Sequence, residues 1–140
     1  MTQSAIDRQM IIDAVGKYAF GFDQSNFGLM ADAFAKEATS GGKISGTDMA
    51  WGPMIGREAI ASGLEGMRKS QSFQPRHSLS SFVFAEQSAT QAKLTCYLSL
   101  LTSQGGKAGL ATCGWLDIEA VKEKDVWRLS RLDVTLDAPF

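Results

Sequence analysis

Apolar residues near the start of the chain recur at helical steps. Ile6, Met10, Ile11, Ala14, Val15, Tyr18 and Phe22 follow one another at one-, three- and four-residue intervals. That spacing predicts a helix over residues 4–22 with one apolar face. Ser4 is placed to cap it, and Asp7 lies near the positive end of the helix dipole. Asn26 is the expected cap of a second helix, with Phe27, Met30, Ala31 and Phe34 as its buried stripe. Thr39-Ser40-Gly41-Gly42 should break that helix, and Lys43-Ile44-Ser45 reads as a short strand ended by Gly46. Gly56-Arg57-Glu58-Ala59-Ile60 opens a third helix with Ile60, Leu64 and Met67 on its apolar face.

Beyond Pro75 the texture changes to that of strands. Segments 76–85, 92–103, 107–121 and 126–136 are rich in β-branched, aromatic and small residues. Gln104-Gly105-Gly106 marks a hairpin, and Lys122-Glu123-Lys124-Asp125 a solvated turn. Helices followed by strands indicate a segregated α+β fold over a single domain, 1–140. We expect three N-terminal helices packed against one face of a curved mixed or antiparallel sheet, with a pocket between them. Tyr97, Leu98, Leu100 and Leu101 put large apolar side chains on both faces of one strand. The outer face should therefore have a partner, which predicts a homodimer or homotrimer.

Composition narrows the use of such a pocket. Fourteen Lys/Arg against fifteen Asp/Glu give a net charge of −1, without the cationic excess that nucleic-acid binding needs. No apolar run approaches the ~20 residues of a membrane span. The polar start, with Asp7 and Asp13, does not read as a secretory signal, so a cytoplasmic setting is expected. Two cysteines and one histidine do not suit a disulfide scaffold or a site built from several imidazoles. No metal and no cofactor are expected. Gly52-Pro53 and Gly105-Gly106 read as turns, because no phosphate-loop string surrounds them.

Three residues stand out as candidate chemistry. His77 is the only side chain whose ordinary pKa lies near neutrality. Alternation puts it on the same strand face as Leu79 and Val83. Asp23 ends a helix, where a carboxylate meets the negative end of the dipole. Such a placement suggests a second role, although taken alone a turn-forming aspartate before Gln24-Ser25-Asn26 is the commoner case. Tyr18 lies five positions earlier, ~140° around the helix, so it and Asp23 share a cavity only if the helix end abuts one. Met49, Trp51, Phe27, Phe34 and Cys113 are the expected substrate-binding residues.

These segments, in this order, resemble the SnoaL-like branch of the nuclear-transport-factor-2-like superfamily. The likeness runs through Tyr18-Ala19-Phe20-Gly21-Phe22-Asp23, Phe34-Ala35 and Ile55-Gly56-Arg57-Glu58-Ala59-Ile60. It continues through Arg76-His77-Ser78-Leu79, Cys113-Gly114-Trp115-Leu116-Asp117 and Val126-Trp127-Arg128-Leu129. Within that branch the sequence is similar to scytalone dehydratase, bile-acid dehydratase and hexachlorocyclohexane dehydrochlorinase. The resemblance implies a cone-shaped α+β barrel with a deep apolar pocket. It also implies an Asp–His dyad, whose positions Asp23 and His77 occupy, and Tyr18 is similar to a tyrosine of the bile-acid dehydratases. Two departures argue against scytalone itself as substrate: Phe22 does not supply the tyrosine found near the Asp, and no second histidine is present. The implied activity is a cofactor-independent lyase (dehydratase-type) or isomerase acting on a small apolar, aromatic, polyketide-like or steroid-like molecule. A non-catalytic small-molecule binding protein and the small subunit of a ring-hydroxylating oxygenase are the alternatives on this fold.

Overall fold

The computed structural model describes residues 1–140. Helix α1 spans Gln3–Asp23, α2 Phe27–Asp32 and α3 Arg57–Ser70. The strands are β1 (Phe34–Ile44), β2 (Ala50–Ile55), β3 (Gln74–Gln87), β4 (Gln91–Gln104), β5 (Lys107–Glu123) and β6 (Val126–Leu136). They form one curved, unclosed sheet in the order β2-β1-β6-β5-β4-β3. Every pairing is antiparallel except β1 with β6, so the sheet is mixed. The helices pack on one side of it, α1 against β3 and β6 and α3 against β1.

Thr2, not Ser4, caps α1, accepting from the Ala5 N–H. The helix ends because Ser25 turns left-handed, at φ 56°. The Gln24 N–H then bonds to the Phe20 carbonyl at 2.9 Å, and the Asn26 N–H to Gly21 at 2.8 Å. Gly21 is required there, since a Cβ would sit 2.7 Å from the Met30 backbone nitrogen. Asn26 does cap α2, through Leu29 N–H, but α2 stops at Asp32. Phe34 therefore starts β1 and does not continue a helix.

The expected break at Thr39–Gly42 is instead the middle of β1. These residues have weak strand preference, but β2 and β6 both pair with them. A ladder on each side overrides local propensity. The expected turn at Gly52-Pro53 also lies within a strand. Between the pairs Ser40–Met54 and Gly42–Trp51 the register shifts, leaving Gly52 and Pro53 opposite Gly41. A proline is tolerated at such a bulge on an edge strand.

Alternation places the core. On β4, Leu94, Cys96, Leu98 and Leu100 are buried against the helices while Tyr97 and Leu101 face outwards. On α1, Ile11, Ala14, Val15, Tyr18 and Phe22 are buried. Asp7 is also buried, and its Oδ1 accepts from Trp127 Nε1 (2.9 Å), Gln3 Nε2 (3.0 Å) and Lys122 Nζ (3.4 Å). This carboxylate fastens the start of α1 to the β5–β6 hairpin. No helix is long and apolar enough to cross a membrane.

Candidate active site

The left-handed turn after α1 leaves Asp23 at the helix end, where it faces the beginning of β3. Its carboxylate accepts twice from His77: the backbone N–H reaches Oδ2 at 2.7 Å, and ring Nδ1 lies 2.6 Å from Oδ1. Both side chains are nearly enclosed, at 10% exposure for His77 and 6% for Asp23. An ionised aspartate only accepts, so the shared proton sits on Nδ1, and Nε2 is the ring nitrogen left without a protein partner. The Asp23 carbonyl is held as well, by Gln74 Nε2 at 2.7 Å and by Arg68 Nε at 3.4 Å. Gln74 and Arg68 escaped the sequence reading. The available signal was that Gln74 lies three residues before His77, at the same strand start.

His77 forms part of the wall of a cavity of about 510 Å³. Tyr18 contributes to the same wall, and its ring meets the His77 ring edge-on at 6.0 Å, as the Phe22 ring does at 5.3 Å. Gln71 Oε1 is the only sealed side-chain polar atom without a partner. The Tyr18 hydroxyl, which has no protein partner either, therefore keeps access to the cavity. Burial first, then the Asp23 charge and Cys96, push the Tyr18 phenol well above its ordinary range. It is thus a neutral donor at any physiological pH.

Trp51 and Met49 line this cavity with Leu64, Leu98 and Val134. Gly42 permits the Trp51 position, since a Cβ there would meet indole Cζ2 at 2.0 Å. The bare glycine lets the ring lie across β1. Phe27, Phe34 and Cys113 do not line it. Phe27 stacks under Lys69, whose Nζ is 5.8 Å from the ring centroid. Phe34 is sealed in the core against Tyr18, because it begins β1 rather than ending a helix. Cys113 is cross-strand from Ser99 and lies on the other face of β5, with Sγ 3.5 Å from Asp137 Oδ2. Asp137, burial and its charge raise the Cys113 thiol, while burial pushes Cys96 up to about 12. Neither is a ready thiolate. The sequence reading missed Asp48, Gln71 and Phe140, which also line the cavity. A larger groove of about 770 Å³ near the other end of β3 carries Lys36, Glu37, Glu86, Lys93, Glu119 and Glu123. Its mixed charges lie away from His77.

The model of the SnoaL-like domain matches residues 3–133. The chain belongs to the SnoaL-like domain family. Comparison of the sequence with curated proteins gives no match. Among solved structures, this SnoaL-like chain is similar to a Nostoc punctiforme protein of unknown function with a cystatin-like fold. The TM-score is 0.82 at 19% identity, covering 98% of this chain and 96% of that one. A protein provisionally assigned as a scytalone dehydratase, from Novosphingobium aromaticivorans, aligns at TM-score 0.75 and 17% identity, covering 99% and 89%. The beta subunit of an aromatic-ring-hydroxylating dioxygenase, also a provisional assignment in that organism, aligns at TM-score 0.81 and 12% identity, covering 99% and 94%. At these identities the likeness is one of fold: the nuclear-transport-factor-2-like, cystatin-like architecture.

Proposed function

We propose that this SnoaL-like protein is a cofactor-independent lyase or isomerase acting on a small apolar molecule that carries a carbonyl. The observation that supports this reading is the 2.6 Å Asp23–His77 contact in the wall of a largely apolar cavity. His77 Nε2 takes a proton from carbon beside the carbonyl, and the electron pair left behind moves onto the carbonyl oxygen. Tyr18 donates a hydrogen bond to that oxygen as its charge grows. Asp23 keeps the ring in the productive tautomer and offsets the imidazolium charge. If the proton passes to a hydroxyl leaving from the next carbon, water departs and a carbon–carbon double bond remains. If it passes to another carbon, the double bond has moved.

The test supplies an aryl β-hydroxy ketone in deuterated water and follows both enone formation and exchange of the carbon-bound proton by NMR. Wild-type protein is expected to do both, and His77→Gln to lose roughly 10²–10⁴ of the rate. Absence of exchange in the wild type across a panel of such ketones overturns the assignment. We also propose that the outer sheet face pairs with a second copy of the chain. Val83, turned away from the His77 face by the register shift between Ser80 and Val83, is more than 60% exposed there, as are Tyr97 and Leu110, which is a large apolar presentation for an unpaired surface.

A further inference from the structure

We infer that the cavity selects uncharged ligands and rejects anions, and that Asp48 at its rim sets this selectivity. This rests on the proposed reading, since it names the substrate class of the same site. Asp48 lies in the loop between β1 and β2, exposed to solvent and lining the cavity. No Lys or Arg lines the cavity with it. The nearest basic side chains on α3 are engaged elsewhere. Arg68 bonds the Asp23 carbonyl and Gln74, while Lys69 sits 3.3 Å from Glu65 and over the Phe27 ring. Asp48 itself makes no ion pair.

The hydroxyls in the wall do not offer a cradle for an anion either. Ser40 donates to the Leu132 carbonyl at 2.6 Å and Ser70 to the Met67 carbonyl at 2.7 Å. The donors left over are the Tyr18 hydroxyl, the Trp51 indole N–H and the Gln71 amide, all neutral, and any positive charge on His77 is matched by the Asp23 carboxylate bonded to it. An entering carboxylate, sulfonate or phosphate ester would therefore shed its water and meet one carboxylate at the rim. A second, Asp23, stands behind His77. Desolvation without a cation is costly, and like charge adds to it. An uncharged ligand pays neither cost. It keeps the apolar contacts of Trp51, Leu64, Leu98 and Val134 and can place a carbonyl oxygen against Tyr18.

The experiment uses the intact protein with N-phenylnaphthylamine as a fluorescent reporter of the cavity. Two nearly isosteric competitors displace it: naphthamide, which is neutral, and naphthoate, which is an anion. Naphthamide is expected to compete at roughly hundred-fold lower concentration. Asp48→Lys should tighten naphthoate by roughly ten-fold and leave naphthamide within about two-fold. Asp48→Asn should give a smaller gain, and raising the ionic strength should shrink the difference between wild type and variant. Competition is read without turnover, since neither naphthamide nor naphthoate carries a hydrogen on the carbon beside its carbonyl. Selectivity and turnover thus fail or succeed separately. Equal competition by the two molecules, no binding of the reporter, or unchanged naphthoate competition in Asp48→Lys overturns the inference.

Discussion

At Asp23 one carboxylate holds two donors, and the proposed chemistry depends on the same atoms. Its two oxygens accept from the His77 backbone and ring, and an asparagine has only one acceptor oxygen for those two donors. Asp23→Asn should therefore lower turnover of the ketone by roughly 10²–10⁴. It should also cost about 1–3 kcal/mol of stability, read from the urea midpoint, because one buried donor is left unpaired. Tyr18 predicts the opposite pattern. Its hydroxyl has no partner in the protein, so Tyr18→Phe should leave the urea midpoint unchanged while slowing turnover ~10²-fold. A Tyr18→Phe protein that loses stability but not rate would remove the phenol from the mechanism. The positions of Asp23 and His77 were legible because a carboxylate at a helix end and a lone histidine are conspicuous in sequence. Phe34 and Cys113 were not. Strand alternation gives two faces without saying which is inward, and the helix-to-strand switch at residue 34 carries no Gly or Pro to mark it.

Among the elements, α1 and α3 follow from periodicity and the four long strands from their composition, whereas most of β1 and all of β2 follow from neither. Their Gly- and Ser-rich stretches look like breaks until two neighbouring strands supply the hydrogen bonds. The close contact at Gly42 ties that sequence bias to the cavity wall. Gly42→Val should push the Trp51 indole off β1 and weaken N-phenylnaphthylamine binding, with far-ultraviolet circular dichroism unchanged. Unaltered binding would detach Trp51 from ligand recognition. The clamp on α1 has a pH signature. The Trp127 N–H, opposed by burial and aided by Gln3 and Lys122, holds the Asp7 carboxyl below its ordinary value. A carboxylate depressed in the folded state stabilises it above the unfolded pKa of ~3.9, and that stabilisation fades as pH falls through the folded value. Asp7→Asn should thus be less stable than wild type at neutral pH, and the gap between their urea midpoints should close in acid. A gap that stays constant from neutral pH to about pH 2 would contradict this linkage.

On the scale of the whole molecule, the outer face of β3–β5 is where a second copy is expected. Tyr97→Lys combined with Leu110→Asp should convert the assembly to monomers in light scattering at micromolar concentration, with the helices intact. A monomeric wild type would overturn the pairing with a second copy. The parallel ladder between β1 and β6 has a consequence for how the chain is made. Ser40 and its Leu132 partner are 92 residues apart, so β1 leaves the ribosome long before the strand that completes it. The β1–β2 hairpin and those of β3–β6 close through neighbours in sequence, whereas α1 and the β1–β6 ladder must wait for β6. Nascent chains arrested before Val126 should accordingly remain open to protease throughout α1, and Asp23 and His77 should be fixed in place only once β6 has emerged.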